Sequence, residues 1–442
     1  MDPRTIGNGG QLEHARALAA IAVRGEAEPQ RWRGYFERLL SGETIGPLPF
    51  DAGDPLATSH AVSGQYAFRL RVGPDESPGS GGPALGAFRD CLAQPGERDV
   101  AIGIDLSEIV PDHFGAWLNA LIREIRKQSE VLPEVPPVVF SLRAEHPACR
   151  TLLKAVQDPG GAGPRTALRV DAGTFREEAL WEELVCASHV NPRIDLVLAG
   201  QKQPLTDLMG SERPDTIMPL SLFEAPADTA WLGMQFDLSA IPLEQIERGT
   251  QHLKKLVRVG VRLADNLIDA VTWPSEQLRR DALANRRLAA HVTGIGDLVL
   301  RHGLDPASFS TLRLLQRWLT LFKRQLLRES LRLARERGPY PALNAEQLVR
   351  ALAPRYGDVR ARRIISRRSP RHRQLLALSP YCVLPRRANA IPARKWLNLL
   401  PLVRVADNLT MHGSRVRSLL DRADYERLLR STWALLRAGQ GP

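Results

Sequence analysis

The 442-residue chain has few cysteines, and they lie far apart in the sequence. A disulfide framework or a cysteine zinc site needs closely spaced thiols such as a CxxC pair. None of the four cysteines belongs to such a pair; they are Cys91, Cys149, Cys186 and Cys382. Long apolar runs are also missing, since none reaches the roughly 18 residues of a membrane span. The start, MDPRTIGNGG, has no apolar signal-peptide core. We therefore expect a soluble cytoplasmic protein without membrane contact.

Common catalytic motifs are absent as well. None of the ten histidines belongs to an HxH or HExxH pair, and there is no GxSxG, no P-loop and no GxGxxG after a strand. Paired carboxylates occur at Glu182-Glu183 and at Asp265 with Asp269, but such pairs on amphipathic helices usually face solvent. The sequence thus indicates no metal site and no cofactor, and it leaves enzymatic activity open.

Acidic residues are outnumbered by basic ones, 49 against 60, which gives a net charge of +11. This excess favours an anionic partner such as a nucleotide, a nucleic acid or an acidic peptide, unless it reflects an arginine-rich proteome. The segment RARRIISRRSPRHR, residues 360–373, holds seven arginines and no acid. It is either a solvated face or an anion site. The anion-binding candidates are Arg362, Arg363, Arg367 and Arg368.

Strand and helix patterns divide the chain into three regions. Residues 1–98 have short helical stretches and a loop rich in Gly, Pro and Ser at 73–86. Residues 99–400 begin with an α/β rhythm and become mainly helical, and residues 401–442 form a helical tail. Within the α/β part, Thr174 is the expected N-cap of a helix, with Glu177 at capping-box spacing.

Two later helices are predicted from their apolar patterns. The first has an apolar face that stops before Trp273-Pro274, and the second covers residues 312–337 and ends at Gly338-Pro339. The apolar face of the first consists of Leu253, Leu256, Val257, Leu263, Leu267 and Ile268.

Six ordered segments resemble the large catalytic subunit of ribonucleotide reductases, especially the cobalamin-dependent and aerobic classes. They are SLRAEHPACRTLLKAVQDPG, TALRVDAGTFREEALWEELV, RLADNLIDAVTWP, NRRLAAHVTGIGDLVLRHGL, LARERGPYPAL and RHRQLLALSPYCVLP. Within them, His146-Pro147 is similar to the family's HPDI helix start, and Val170-Asp171 to its RVDDxFM segment. The resemblance covers roughly residues 99–400, whereas the family subunit is considerably longer, so we expect a truncated and degenerate homologue.

The resemblance implies a ten-stranded α/β barrel, complete or incomplete, with extra helices and a finger loop inside. In the family this loop has the signature NPCGE, and its cysteine becomes a thiyl radical. The matching stretch here is RPDTIMPL: Arg213 replaces the family's Asn, Asp215 its radical Cys and Ile217 its Glu. A carboxylate can act as an acid or a base, but it cannot form a thiyl radical.

Other functional groups of the family are replaced too. Ala230 stands where the resemblance implies a second redox thiol, and no cysteine follows Cys382. The phosphate-binding PTGS loop becomes Pro-Tyr-Cys-Val, which puts Tyr381 on the Thr position. Ala289 and His291 replace two family glycines, so the close backbone approach that glycine permits is expected to be lost.

Three functional hypotheses remain. The first is a pseudoenzyme, a catalytically silent scaffold or accessory subunit of a biosynthetic enzyme complex. The second is a refitted non-radical enzyme, with Asp215 and His291 as weak catalytic candidates. Its substrate-binding candidates are Arg213, Arg286, Arg287 and Tyr381. The third is a basic protein that binds nucleotides or nucleic acid through residues 360–373. A homodimer like that of the relatives is left open.

Overall fold

The computed structural model is a mixed α/β protein built around one curled sheet that forms a half barrel. It describes residues 7–41, 45–47, 64–73, 76–78, 82–93, 100–131, 136–156, 165–191, 193–198, 215–220, 222–247, 250–378 and 421–438. Among these residues the large sheet has nine strands, and a two-stranded hairpin accompanies it. The predicted fold, an incomplete barrel with extra helices, is confirmed.

Eight of the nine strands of the large sheet fall into two parallel sets, and the three-residue first strand pairs antiparallel with a strand of the second set. The nine strands are β1 (Ile45–Pro47), β2 (Gly64–Arg69), β3 (Val100–Asp105), β4 (Val138–Arg143), β5 (Arg165–Val170), β6 (Ile194–Leu198), β9 (Thr229–Asp237), β10 (Arg287–Thr293) and β11 (Leu375–Leu378). Strands β2 to β6 are parallel to one another, and so are β9, β10 and β11. The sets join where β2 pairs antiparallel with β9, so their carboxyl ends point to opposite rims of the half barrel.

Fourteen helices accompany this sheet in the described part of the chain. They are α1 (Gly7–Ala22), α2 (Pro29–Ser41), α3 (Pro83–Ala93), α4 (Pro111–Val131), α5 (Cys149–Val156), α6 (Glu178–Val190), α7 (Leu243–Glu247), α8 (Thr250–Ala270), α9 (Glu276–Asn285), α10 (Ile295–Arg301), α11 (Phe309–Arg337), α12 (Ala345–Tyr356), α13 (Asp358–Arg368) and α14 (Arg422–Ala438). All of them except α12 and α13, which share a small core of their own, cover the outer face of the sheet. Strand residues of one parity, such as Phe140, Leu168 and Leu288, pack with these helices in the main core. Residues of the other parity face the concave side.

The strands and long helices predicted from apolar patterns are confirmed at β3, β4, β5, β6, α8 and α11. The six apolar residues predicted for one face of α8 are all buried. Helix α11 ends where Gly338 adopts a left-handed φ of 82°, which glycine tolerates best. No described helix is long and apolar enough to cross a membrane.

The prediction for the start of α6 is wrong. Thr174 does not cap the helix, which begins at Glu178 after Glu177, and Glu177 makes no side-chain capping bond. The Thr174 hydroxyl instead donates a hydrogen bond of 2.5 Å to Glu145 on another loop. A contact distant in sequence therefore replaces the local capping box that the spacing suggested.

The region boundaries at residues 98 and 400 stay predictions. The first region nevertheless supplies strands β1 and β2 to the same sheet as β3 to β6. Of the predicted loop at 73–86, residues from Pro83 onward belong to α3.

Candidate functional site

The candidate site is the concave face of the half barrel, which carries a short hairpin. Its strands are β7 (Thr216–Ile217) and β8 (Glu224–Ala225), paired antiparallel. This hairpin includes the described part of the stretch that resembles the family's finger loop.

Apolar side chains of the hairpin fill the concave face. Ile217 and Leu222 pack with Val139, Ala167 and Val197 of strands β4, β5 and β6. A second cluster joins hairpin and sheet on the other side; it consists of Ala67, Met218, Phe223, Ala225, Trp231 and Ala289. Ile217, at the position that resembles the family's Glu, is 2% exposed. The hairpin therefore acts as an apolar plug against the inner face of the sheet.

Close backbone contact with the sheet depends on a small residue. A Cβ atom added at Gly103 of β3 would lie 2.7 Å from the carbonyl oxygen of Ile217 and 2.9 Å from the Cβ of Ala67. Real Cβ atoms essentially never approach other atoms so closely. Gly103 is thus required for the hairpin to lie at this depth.

The tip of the hairpin is fixed by a polar contact and a strained residue. The side-chain oxygen of Gln65 on β2 accepts a hydrogen bond of 3.1 Å from the backbone N–H of Leu220. Leu222 has a φ of 42°, a conformation that costs a non-glycine residue free energy, and its N–H donates to the carbonyl oxygen of Met218. The buried apolar side chain of Leu222 offsets this strain.

Two ion pairs hold the open end of the hairpin to the rim of the sheet. The Asp215 Oδ2 atom lies 3.1 Å from Arg69 Nη2, while Asp215 Oδ1 accepts a hydrogen bond of 2.8 Å from the N–H of Ala227. On the other side, Glu224 Oε1 lies 2.5 Å from Arg169 Nε. Both carboxylate oxygens of Asp215 therefore hold the chain in place.

Acidic groups surround Arg69 at this rim. Asp105 lies 3.7 Å from its Nε atom, and Glu108 lies 3.4 Å from its Nη1 atom. Burial raises the pKa of Asp105, although hydrogen bonds from Ser107 and the charge of Arg69 oppose the rise. At this rim the guanidinium of Arg69 is thus shared by the carboxylates of Asp105, Glu108 and Asp215.

His291, the second catalytic candidate, lies at the other end of the sheet. It is wholly buried on β10 opposite Gln235, and by strand alternation it faces the concave side. Ala67 pairs with Thr229, so Arg69 and His291 are separated by eight residue steps along the strands. At 3.3 Å per residue this is roughly 26 Å. The structure therefore does not bring Asp215 and His291 into one site.

Arg286 and Arg287 both lie in buried ion pairs. Arg287 is 1% exposed; its Nη1 atom lies 2.5 Å from Asp281, and its Nε donates to Gln374. Arg286 has a left-handed φ of 49° just after α9, and its guanidinium pairs with Asp265 and Asp269. Each guanidinium group is thus held by acidic partners within the chain. Their role in binding substrate stays a prediction.

Asp265 corrects the expectation that its carboxylate faces solvent. It is wholly buried, and four basic groups surround it: Arg286 at 2.7 Å, Arg337 at 2.9 Å, Arg371 at 3.1 Å and His372 at 3.5 Å. Burial alone would raise the pKa of Asp265, but these partners hold it well below its ordinary value. Burial likewise lowers the pKa of His372, so the histidine resists protonation.

This cluster extends to the N-terminal helices through Glu26. Arg262 and Arg337 both pair with Glu26, and the amide of Asn266 donates to the same carboxylate. The segment RLADNLID thus contributes Arg262, Asp265, Asn266 and Asp269 to one network linking α8 with the α1–α2 turn, α9, α11 and the segment before β11. Sequence reasoning missed it because the partners are distant in sequence.

A carboxyl pair joins two segments that carry the family resemblance. The side chains of Glu145 and Asp171, beyond the carboxyl ends of β4 and β5, share a hydrogen bond, and Asp171 also accepts from the N–H of Gly173 at 2.7 Å. Burial and the neighbouring Asp171 raise the pKa of Glu145. The hydrogen bond from Glu145 lowers the pKa of Asp171. The two pKa values are thus displaced in opposite directions, and Asp171 is the more acidic group of the pair.

The arginine-rich segment separates into two parts. Residues 358–368 form α13, and the candidates Arg362, Arg363, Arg367 and Arg368 are all exposed on it. Arg371 and His372 instead belong to the buried network around Asp265. The candidates Arg213 and Tyr381 lie outside the described residues. Among those described, no cluster of His, Cys, Asp and Glu could hold a metal ion.

Comparison with known proteins locates the similarity in the second half of the chain. Residues 237–380 match the family model of the ribonucleotide reductase barrel domain. Two curated proteins from Mycobacterium tuberculosis, strains CDC 1551 / Oshkosh and ATCC 25618 / H37Rv, are each 30% identical to this chain over 99 residues. Both are named vitamin B12-dependent ribonucleoside-diphosphate reductase, and the match covers 22% of this chain and 14% of each relative. The chain is therefore similar to ribonucleotide reductase large subunits, over a small share of their length.

Proposed function

We propose that this chain, with its ribonucleotide-reductase-like barrel region, is a catalytically silent scaffold or accessory subunit of a biosynthetic enzyme complex. The observation that carries this proposal is the hairpin on the concave face. Ile217, Met218 and Phe223 occupy the inner side of the sheet as packed apolar residues. A loop arranged in this way supports the shape of the barrel, whereas a radical loop must present a reactive thiol to a substrate.

The chemistry of residue 215 supports the same reading. Hydrogen abstraction from a ribose carbon needs a weak S–H bond whose radical can be regenerated, and a carboxylate provides none. Asp215 uses one oxygen to accept from Ala227 and the other to pair with Arg69. A cobalamin would thus find no thiol to oxidise at this position.

The alignment of the hairpin with the radical loop rests on motif resemblance alone. The matched family model begins at residue 237, after the hairpin. Ala230, expected at a redox thiol position, is 1% exposed and lies in the helix-covered core. The assignment of Asp215 and Ala230 to the positions of family cysteines therefore stays part of the proposal.

The accessory role is tested by native mass spectrometry of the full chain coexpressed with the products of its neighbouring genes. We expect a stoichiometric complex with one of those enzymes, and a folded chain that associates with none would contradict the role. Catalytic silence is tested separately with ribonucleoside diphosphates, adenosylcobalamin and a dithiol reductant. Formation of deoxynucleotides would refute it.

A refitted non-radical enzyme is a second candidate, favoured by the Glu145–Asp171 pair. Carboxyl ends of parallel strands are frequent sites of chemistry, and two carboxyl groups with separated pKa values suit acid–base catalysis. This candidate predicts that Glu145→Gln or Asp215→Asn leaves the protein folded but abolishes a product of the native pathway. Unchanged product in both variants would remove it.

A further inference from the structure

A groove between α11, α12 and α13 lies outside the concave site. Its volume is about 1120 Å³. Leu327, Leu331 and Ile364 contribute to its apolar floor, and all three are only partly buried. Val359, which also lines it, is 80% exposed. The groove thus presents apolar side chains to solvent in a strongly basic part of the chain.

Arginines of one helical face rim the groove. Arg360, Arg363, Arg367 and Arg368 line it, at spacings of three, four and one residues along α13. Three and four residues are the spacings that place side chains on the same face of a helix. Arg360 lies over the ring of Tyr356, and none of the other three forms an ion pair with an acidic residue in the part of the chain that the structure describes.

Charge argues against filling of the groove by residues 379–420 or by a second copy of the chain. Residues 379–420 carry seven Lys and Arg but a single acid, Asp407. A second copy of the chain would bring a further net charge of +11. Both occupants would place positive charge against the arginine rim, which like-charge repulsion disfavours.

The apolar floor argues for a peptide rather than a nucleic acid. Nucleic-acid sites combine phosphate contacts with polar or aromatic groups for the bases. Tyr356 is the one aromatic residue among those that line the groove, and Arg360 lies over its ring. The other apolar side chains of the lining are aliphatic, and aliphatic grooves with charged rims are suited to an amphipathic helix. Arginine also binds carboxylates in a bidentate manner that gives orientation.

We propose that this groove docks an acidic amphipathic helix of a partner protein. Apolar side chains of that helix contact Leu327, Leu331 and Ile364, and its carboxylates pair with Arg363 and Arg367. This proposal rests on the proposed accessory role for the existence of a partner. It adds the chemistry of the partner's segment and the surface that receives it.

The test uses the full chain and a fluorescent peptide of about four helical turns, with leucines along one face and glutamates on the flanks. A control peptide of identical composition has its leucines dispersed around the helix. Single-stranded RNA and inorganic phosphate serve as competing probes. Fluorescence anisotropy is expected to show binding of the amphipathic peptide and at least about tenfold weaker binding of the control.

Variants on α13 separate the groove from general positive charge. Arg363→Glu with Arg367→Glu reverses two charges of the rim and is expected to weaken peptide binding by about tenfold or more. Arg362→Glu reverses one charge at an exposed residue of the same helix that does not line the groove, and it is compared with Arg363→Glu alone as well as with the double variant. It is expected to change the affinity by less than about twofold. Circular dichroism verifies that each variant is folded.

Several results would overturn the docking site. Equal binding of both peptides, equal losses in the Arg362 and groove variants, or tighter binding of RNA would each indicate a general anionic surface. Absence of peptide binding would also reject it. If native mass spectrometry finds a partner complex that survives Arg363→Glu with Arg367→Glu, the groove proposal fails while the accessory role stands. If no partner complex forms, the accessory role fails, and the groove loses its biological occupant.

Discussion

The network around Asp265 and the hairpin on the concave face use charge in opposite ways. The network buries Asp265, which lies inside the region that matches the barrel-domain family, and Glu26, which lies outside it, among several guanidinium groups. The hairpin precedes that region in the sequence, packs apolar residues against the concave face of the sheet and has its ion pairs at the rim. The comparison indicates that buried charges connect helices in the network, whereas apolar packing holds the hairpin against the sheet.

The largest effect is expected when the network loses its central charge. Asp265→Asn removes the counter-charge of Arg286, Arg337 and Arg371, all of which are largely buried, so we expect a loss of about 3–5 kcal/mol in the free energy of unfolding. Urea denaturation measures it. Asp269→Asn is the matched control, because Asp269 is 52% exposed in its side chain and should cost about 1 kcal/mol or less. Equal effects of the two substitutions would show that burial of Asp265 is not what matters.

A smaller loss of stability is expected when a buried side chain of the hairpin is truncated. Ile217→Ala leaves a cavity between hairpin and sheet, and we expect destabilisation by about 2–4 kcal/mol with faster proteolysis between residues 215 and 228. Phe309→Ala is a control at a residue that is 71% exposed and should have little effect. A stable, protease-resistant Ile217→Ala variant would mean that the hairpin does not depend on its apolar contacts.

A methyl group at Gly103 tests the depth at which the hairpin lies. Gly103→Ala places a Cβ against the Ile217 carbonyl, and we expect a loss of about 1–3 kcal/mol. Gly115→Ala on α4 meets only ordinary van der Waals contact at 3.8 Å and should be neutral or slightly stabilising. Hydrogen exchange at the N–H groups of Met218 and Leu222 reports whether the hairpin has moved. Unchanged exchange with unchanged stability would contradict the close approach.

Local patterns were sufficient for the elements but not for their charged contacts. Apolar periodicity gave β3 to β6, α8 and α11, because those residues face one continuous core. It did not predict the burial of the Asp265 carboxylate, because its partners Arg337 and Arg371 are 72 and 106 residues away. It also failed for Thr174, where a contact with Glu145 overrides the capping spacing. Residue 217 is different, since the replacement of the family's Glu by Ile was visible in the motif, whereas the packing of its side chain against the sheet was not predicted.

The smallest effect concerns protonation of the Glu145–Asp171 pair, which lies on the same rim as the hairpin's ion pairs. The raised pKa of Glu145 means that its protonated form stabilises the fold below its ordinary value of 4.5, and this contribution is lost as the pH rises through the raised pKa. The lowered pKa of Asp171 means that its ionised form stabilises the fold above its ordinary value of 3.8, and this contribution is lost as the pH falls through the lowered pKa. The pair therefore contributes most between these two transitions.

Glu145→Gln places a neutral amide at this position at every pH. The loss of stability that accompanies ionisation of Glu145 therefore no longer occurs. We expect the variant to gain stability relative to the natural chain at neutral pH, and to gain little where Glu145 is already protonated. Carbon-13 NMR of the side-chain carboxyls measures the order of titration directly, with Asp171 ionising before Glu145. Glu177→Gln on the neighbouring loop is the control and should leave the titration of Asp171 unchanged. If Glu145 ionises first, the rim does not share a proton, and the acid–base candidate loses the observation that favours it.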